Sequence, residues 1–253
     1  WGDSKWITLN KDTRTSKHQF RDYKTGKMEE PIQVNGFAAS YFRNEIDINK
    51  KIENAQAYIC GLGYYELYLN GEKVGNHVLD PAPSNYDKQA YYVKYDVTKE
   101  IKEGKNAFGI ILGNGFYGQN ISWKRDAESE KDLAYGAPTV KLLVKVNYTD
   151  GSSKDFYTDE NWKEATGPIV FNNIYGGDTY DANYELGNWN TAGYIDNNWG
   201  NAKVVSPKLR TISAQQIPAI KKLKELEPQK VFKGADGEWI VDFGQNIAGW
   251  VKI

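Results

Sequence analysis

The residues best suited to chemistry lie in the segment Tyr175-Gly-Gly-Asp178, with a second carboxylate at Asp181. Paired glycines let a backbone approach a ligand closely, and carboxylates accept hydrogen bonds from neighbouring hydroxyl groups. The two carboxylates and nearby carbonyl oxygens also suit Ca²⁺, which prefers oxygen ligands and can bridge to a sugar diol. The segment therefore predicts a carbohydrate site at Tyr175, Asp178 and Asp181, with a calcium ion at the two aspartates as an option.

A purely structural interpretation of the same segment stays open. Gly176-Gly177 can simply make a turn, and the aspartates can hold loops or dock onto another domain. Trp123, in a polar stretch over Gly118–Ala137, is a second candidate for a sugar-stacking ring. A tryptophan in such a loop either packs against the body of the protein or stays exposed for contact with a binding partner.

Other catalytic chemistry has little support. His18 and His77 lack the spacing of a zinc motif, and His77 falls in a predicted strand, which favours a structural role. Cys60 is the only cysteine; its apolar neighbours indicate a buried structural thiol rather than a nucleophile. No Gly-x-Ser-x-Gly elbow or phosphate-binding loop is present.

Charge and hydropathy exclude two classes of partner. A net charge of −1 argues against a general nucleic-acid binder, which carries clustered Lys and Arg. No apolar run approaches the roughly 20 residues that a membrane span requires. The high aromatic content, 14%, fits both a β-sandwich core and a carbohydrate surface and does not separate them.

The pattern of the chain predicts β-structure. Asn70-Gly71 joins two strand-like runs and predicts a tight hairpin with positive φ, and Asp150-Gly151 predicts a second one. Alternation places Tyr65, Leu67 and Leu69 on one buried face. Strands are predicted over Phe37–Ile48, Ala55–Cys60, Tyr64–Leu69, Glu72–Leu79, Ala90–Tyr95, Ala107–Leu112, Thr139–Tyr148 and Lys154–Thr158.

Four weaker features complete this pattern. Lys5–Thr8 predicts an edge strand, and Thr98–Gly104 predicts one helical turn that Thr98 caps. Ile217–Gln229, bracketed by prolines, fits either a helix or a strand, and a strand is favoured. Trp239–Ile253 is strand-rich and apolar, so it should add strands to the preceding sandwich or pair with another chain.

Four segments together resemble the N-terminal β-sandwich of bacterial α-L-rhamnosidases, family-78 glycoside hydrolases. In chain order they are Gly61–Gly71 with Val78–Pro81, Leu112–Tyr117, Ile174–Ala182 and Val241–Trp250. Departures from the family pattern include Phe116, where tryptophan is common, Asp178 in place of glutamate and Asn183 in place of arginine.

The resemblance implies an all-β fold, an antiparallel jelly-roll sandwich of the galactose-binding type followed by the opening strands of a second sandwich. It implies an N-terminal arm over residues 1–33, the sandwich over 34–205, and a linker with a truncated next sandwich over 206–253. The family's acid and base reside in a C-terminal α/α barrel, which this chain does not encode, so the chain alone is predicted to be inactive.

The functions that follow are those of a noncatalytic part of an inverting α-L-rhamnosidase. Its partners would be an L-rhamnose-containing glycan, which related modules bind with calcium, and the catalytic barrel, with no nucleic acid or membrane. A secreted or periplasmic location is implied by the resemblance. The alternatives are a structural spacer that docks to the barrel and a stand-alone carbohydrate-binding protein.

Overall fold

The part of the chain described by the structure, a computed structural model, is almost entirely β-structure. It comprises residues 1–10, 15–18, 25–28, 30, 32–35, 38–118, 135–174 and 176–251. These residues form two compact units, Trp1–Ile220 and Lys221–Ile253. The predicted site residues Trp123 and Tyr175 lie outside the described residues.

Two sheets build the first unit, and all of their strand pairs are antiparallel except one. In spatial order, the seven-stranded sheet contains β16 (Lys203–Val205), β1 (Trp6–Thr8), β10 (Thr139–Tyr148), β5 (Ile52–Leu62), β8 (Gln89–Asp96) and β17 (Thr211–Ala214), with β11 (Ser153–Tyr157) also paired to β10. The six-stranded sheet contains β15 (Gly200–Asn201), β12 (Lys163–Thr166), β4 (Ser40–Ile48), β9 (Gly104–Leu112), β6 (Tyr65–Leu69) and β7 (Glu72–Lys73). The parallel pair is β17 with β8.

Three small ladders accompany the two sheets. They are β2 (Thr15–His18) with β3 (Ile32–Asn35), β13 (Ile169–Asn173) with β14 (Gly177–Tyr180), and β18 (Lys230–Lys233) with β19 (Trp239–Asp242). Among the described residues the single helical element is a 3₁₀ turn, Ala182–Tyr184. No helix in that part of the chain is long and apolar enough to span a membrane.

The core lies between the two sheets. Apolar side chains from both sheets form one buried cluster, including Ile7, Ala57 and Val140 from one sheet and Phe42 and Ile110 from the other. Burying such faces against each other is what stabilises a sandwich. The predicted all-β sandwich is therefore confirmed, whereas the jelly-roll connectivity and the predicted domain boundaries stay predictions.

The first predicted hairpin forms as expected. Asn70 and Gly71 have φ of 55° and 94°, and Leu69 pairs with Glu72 across the turn. The burial of β6 alternates as predicted, with Tyr65, Leu67 and Leu69 facing the core.

The second hairpin has a longer turn than predicted. The N–H of Gly151 donates to the carbonyl of Tyr148, and Tyr148 in turn donates to the carbonyl of Ser152. Gly151 alone has positive φ, 81°, and Asp150 does not. Four residues therefore connect the two strands. A tight turn that is followed by a glycine in the left-handed region gives the loop a twist that matches the twist of the strands.

Two strand predictions in the first unit are wrong. The strand predicted over Glu72–Leu79 stops at Lys73, since Gly75 has φ of 72° and its backbone lies against the Tyr95 ring. The segment Lys5–Thr8 was predicted as an edge strand, but β1 lies inside its sheet between β16 and β10. Pairing on both sides protects it far better than an edge position.

The C-terminal stretch also differs from expectation. Ile217–Gln229 contains no strand in the structure, because Pro218 and Pro228 remove the N–H groups that a ladder requires. Trp239–Asp242 pairs with Lys230–Lys233 within the second unit rather than adding to the sandwich sheets. The strand Thr211–Ala214, beside β8, was not predicted.

The predicted helical turn over Thr98–Gly104 forms a hydrogen-bonded turn and is not a helix. The N–H of Ile101 donates to the carbonyl of Val97, at 3.0 Å. Thr98 does not cap this turn, because its hydroxyl accepts from the N–H of Ala55 on β5. Asp96 instead accepts from the N–H of Thr98, at 3.0 Å.

A buried arginine fastens a long loop to the six-stranded sheet. Arg43 on β4 is 2% exposed and donates to the carbonyls of Trp189 and Thr191. It also forms ion pairs with Glu45 and Asp196. A buried charge is tolerated when all three guanidinium nitrogens are engaged, and here it fixes where the loop crosses the sheet.

Candidate functional site

The predicted site segment forms the hairpin β13–β14, a separate two-stranded ladder. The turn between its strands is held by the Asn173 side chain, whose Oδ1 accepts from the N–H of Gly176 at 2.8 Å. Gly177 has φ of 77°, a left-handed conformation that favours glycine over other residues. The glycine pair therefore makes a turn, which both interpretations of the segment allow.

Asp178 carries the available carboxylate of the hairpin. It lies directly opposite Asn172 across the ladder, and its side chain is exposed. Surrounding protein atoms nevertheless desolvate the carboxylate enough to raise the pKa of Asp178. No hydrogen-bond donor among the described residues reaches it, so it is free to accept hydrogen bonds from a ligand.

The hairpin is joined to a second family segment through a pair of asparagines. Asn114 is buried, and its backbone N–H donates to Asn172 Oδ1 at 2.6 Å. Its Nδ2 donates to the Asn172 carbonyl at 2.9 Å. Two reciprocal bonds of this kind fix both the backbone and the side chain of Asn172, and thereby the strand that lies opposite Asp178.

A third family segment meets the same point. The N–H of Gly113 donates to the carbonyl of Tyr64 at 2.7 Å. A Cβ on Gly113 would lie 3.0 Å from Asn172 Oδ1, so the small residue lets the loop approach the hairpin. Three segments that are far apart in sequence therefore converge here, which sequence order alone does not indicate.

Asp181 has a different, local role. Its Oδ1 accepts from the N–H and the Nδ2 of Asn183, at 3.0 and 2.8 Å, and so caps the 3₁₀ turn. Asp181 follows the end of β14, whereas Asp178 lies within that strand. Their joint role at a sugar stays a prediction.

Calcium at these two aspartates also stays a prediction. Among the described residues there is no group of three or more His, Cys, Asp and Glu side chains that could hold a metal ion. One carboxylate oxygen of Asp181 already accepts the hydrogen bonds that cap the 3₁₀ turn. Of the two aspartates, Asp178 is therefore the one whose carboxylate is unengaged. This donor set is poor for Ca²⁺, which takes six to eight oxygens, and the function proposed below does not depend on the ion.

Sequence reasoning did not single out Tyr180. Its ring is 58% exposed, and it follows Asp178 by two residues on the same strand. Residues at this spacing project from the same face of a strand, so the ring and the carboxylate lie side by side. The signal was available in the alternation of Asp178, Thr179 and Tyr180.

Cys60 is buried, as predicted, whereas His77 lies beyond the end of β7 and its structural role stays a prediction. His77 Nδ1 lies 2.7 Å from Asp80 Oδ2, which also accepts from the Tyr95 hydroxyl at 2.7 Å. Cys60 is completely buried, and this burial raises the pKa of its thiol. A thiol in that state is a poor nucleophile.

The fold and the converging loop segments define a β-sandwich module. The α-L-rhamnosidase N-terminal domain family matches residues 50–224. The chain belongs to this family.

Relatives agree over nearly the whole chain. An α-L-rhamnosidase of Formosa agariphila is 71% identical over all 253 residues, which make up 27% of that protein. An α-L-rhamnosidase of Streptomyces avermitilis is 32% identical over 85% of the chain and 21% of its own length. The chain thus spans about a quarter of the length of these relatives.

Solved structures show the same fold. An α-L-rhamnosidase from Dictyoglomus thermophilum matches with a TM-score of 0.77 and 36% identity, over 96% of this chain and 26% of that one. The Streptomyces avermitilis enzyme, solved in complex with L-rhamnose, matches with a TM-score of 0.77 and 32% identity, over 84% of this chain and 20% of that one.

Proposed function

We propose that this chain is the noncatalytic β-sandwich part of an α-L-rhamnosidase, an enzyme that removes terminal α-L-rhamnose from glycans or glycosides. In this proposal the module supports the catalytic domain, and its β13–β14 hairpin binds a rhamnose residue weakly. The observation that carries the binding site is the unengaged carboxylate of Asp178 beside the exposed ring of Tyr180.

The chemistry of this pair suits a pyranose. A carboxylate accepts two hydrogen bonds from adjacent hydroxyl groups, and hydrogen bonds to a charged acceptor are stronger than neutral ones. The Tyr180 ring offers an apolar face to the C–H groups of the sugar. One shallow site of this kind predicts a millimolar Kd, worth about 4 kcal/mol.

The hairpin is also prepared for binding. The Asn114–Asn172 bonds hold the strand opposite Asp178 in place before any ligand arrives. A fixed site loses less conformational entropy on binding than a flexible one. The rigid loop end therefore favours a recognition role for Asp178.

Ionisation sets the pH range of this role. The charged carboxylate is the form that only accepts hydrogen bonds, and partial desolvation raises its pKa. Rhamnose binding should therefore weaken as the pH falls through this raised pKa, earlier than for a fully solvated aspartate.

The two alternatives make different predictions. A spacer would support the catalytic domain without binding any sugar. A stand-alone binding protein fits less well, because the chain matches only about a quarter of each relative. A secreted or periplasmic location is part of the proposal, and fractionation of the source cells with an antibody to this chain tests it.

Calorimetry with L-rhamnose tests the binding proposal. Wild type should give saturable millimolar binding, and Asp178→Ala and Tyr180→Ala should each weaken it. Asp87→Ala, at another exposed aspartate, is the matched control and should bind as wild type does. A parallel titration with a chelator decides whether calcium takes part. Absence of binding up to tens of millimolar would instead support the spacer.

A further inference from the structure

A second surface with ligand-binding character lies on the outer face of the seven-stranded sheet. Tyr58 on β5 and Tyr92 on β8 lie there as neighbours, with ring centroids 6.0 Å apart. Trp1 contacts Tyr92 edge to face, at 5.6 Å. All three side chains are partly exposed, and together they are called the aromatic platform.

Two lysines flank the aromatic platform from opposite sides. Lys94 on β8 is directly opposite Tyr58, and its Nζ lies 5.7 Å from the centre of that ring. Lys141 on β10 is directly opposite Cys60, and its Nζ lies 5.5 Å from the centre of the Trp1 ring. The pairing register of β5 with β8 and with β10 therefore places one lysine at each edge of the aromatic platform.

Neither cation has a carboxylate within ion-pair distance in the described part of the chain. Neither Lys94 nor Lys141 belongs to any of the ion pairs found there. Asp96, on the same face as Lys94, accepts from the hydroxyl and the N–H of Thr98, and these hydrogen bonds together with the charge of Lys94 lower the pKa of Asp96. Lys145, farther along β10, differs because it pairs with Asp155 at 3.1 Å.

The positive charge of Lys94 and Lys141 beside the aromatic platform stands out because the net charge of the whole chain is only −1. Burial and the nearby Lys5 both lower the pKa of Lys141, so an anion near it would relieve an unfavourable environment. Ring faces stabilise a cation only modestly at exposed sites. An anion can therefore compete for these lysines.

We propose that the aromatic platform, with Lys94 and Lys141, binds an acidic oligosaccharide, one that carries carboxylate or sulfate groups. The rings stack against the apolar faces of the sugar units, and the lysines pair with the anionic groups. The planes of Tyr58 and Tyr92 are inclined by 57°, so successive sugar units follow a twisted path across the sheet. This site is separate from the β13–β14 hairpin and does not rest on the function proposed for it.

Titration of the whole chain with a tetrameric oligogalacturonate at low salt tests the proposal. We expect saturable binding that weakens steeply with added salt, because exposed charge pairs are screened. A sulfated oligosaccharide of the same length shows whether sulfate replaces carboxylate, and a neutral maltotetraose should bind at least several-fold more weakly. Binding of neither acidic ligand, or equal binding of the neutral one, would overturn the proposal.

Variants locate the site. Lys94→Gln should weaken oligogalacturonate binding about 2- to 5-fold, as expected for one exposed ion pair. Tyr58→Leu, which keeps an apolar side chain at a partly exposed position, should weaken it about 2- to 10-fold through loss of the ring. The matched control is Lys145→Gln, a lysine of the same face that already has a partner.

Two outcomes would contradict this location. Equal effects of Lys145→Gln and Lys94→Gln would mean that only general charge matters. A loss of oligogalacturonate binding in Asp178→Ala would place the ligand at the hairpin instead. Unchanged binding in that variant keeps the two sites distinct, whatever its effect on rhamnose.

Discussion

Asn114 and Asn172 bind each other reciprocally, the backbone N–H of Asn114 to the side chain of Asn172 and the side chain of Asn114 to the backbone of Asn172. The two residues are 58 positions apart in sequence. This pair fixes the hairpin that carries Asp178 against the loop that follows β9. The geometry of the candidate site therefore depends on a buried amide outside the site itself.

Removing that amide should cost stability. Asn114→Ala deletes the donor to the Asn172 carbonyl in a buried place, so we expect a loss of about 1–3 kcal/mol in the free energy of unfolding. Urea denaturation measures it. The control is Asn147→Ala, whose side chain bonds Asn54 at the exposed surface and should change stability by less than about 0.5 kcal/mol. Equal losses of unfolding free energy in the two variants would show that burial does not make the Asn114–Asn172 bonds more stabilising than the exposed Asn147–Asn54 bond.

Gly109 on β9 should not tolerate a side chain. A Cβ there would lie 2.8 Å from the Trp189 ring, although its φ is ordinary, so the cost is steric. Gly109→Ala should destabilise by about 1–3 kcal/mol and should change the tryptophan fluorescence. Gly249→Ala is the control, because its Cβ would meet nothing within 4 Å. An unchanged urea midpoint for Gly109→Ala would mean that the loop carrying Trp189 shifts without cost.

The buried thiol should make stability depend on alkaline pH. Burial raises the pKa of Cys60, so above about pH 8.5 the unfolded chain releases this proton and the folded chain keeps it. Stability therefore falls as the pH rises, by about 1.4 kcal/mol per pH unit from this group. Between pH 8.5 and 10, wild type should lose about 2 kcal/mol relative to Cys60→Ala, in which the tyrosines are unchanged.

Labelling gives an independent check on the same thiol. Native protein at pH 8 should react with a thiol reagent only as fast as it unfolds. A rapid reaction, or parallel stability curves for wild type and Cys60→Ala, would contradict the burial of Cys60.

Hydrolysis should be absent from the chain on its own. Glycosidic cleavage requires two carboxyl groups held across the bond, and the resemblance assigns them to a different domain. Incubation with an aryl α-L-rhamnoside should release no aryl group above the buffer rate. Release at a rate comparable to the whole enzyme, abolished by one Asp→Asn change, would overturn the noncatalytic assignment.

Local signals accounted for much of the sandwich. Alternation identified the buried face of β6, and Asn70-Gly71 set the first hairpin, because both depend on neighbouring residues only. The inner position of β1 depends on partners more than 130 residues away, so its short apolar run was mistaken for an edge. The parallel strand at Thr211–Ala214 likewise has too few residues to show a recognisable strand pattern in the sequence.

The candidate site was predictable only in part. The segment from Tyr175 to Asp181 was identified from residue types, and Asp178 does present an unengaged carboxylate. That Asp181 caps a 3₁₀ turn depends on the local conformation, which its residue type does not specify. The support from Asn114 depends on a contact between distant loops, which a single sequence does not record.

The most direct test of the hairpin site is an NMR titration of ¹⁵N-labelled chain with L-rhamnose. We predict saturable shifts concentrated in the amides of Asn114, Asn172, Asp178 and Tyr180, with a common millimolar Kd, and their loss in Asp178→Ala. Amides of the aromatic platform, such as Tyr58, should stay unshifted by this neutral sugar. Shifts confined to any other surface, or no shifts up to tens of millimolar, would contradict a rhamnose site at this hairpin.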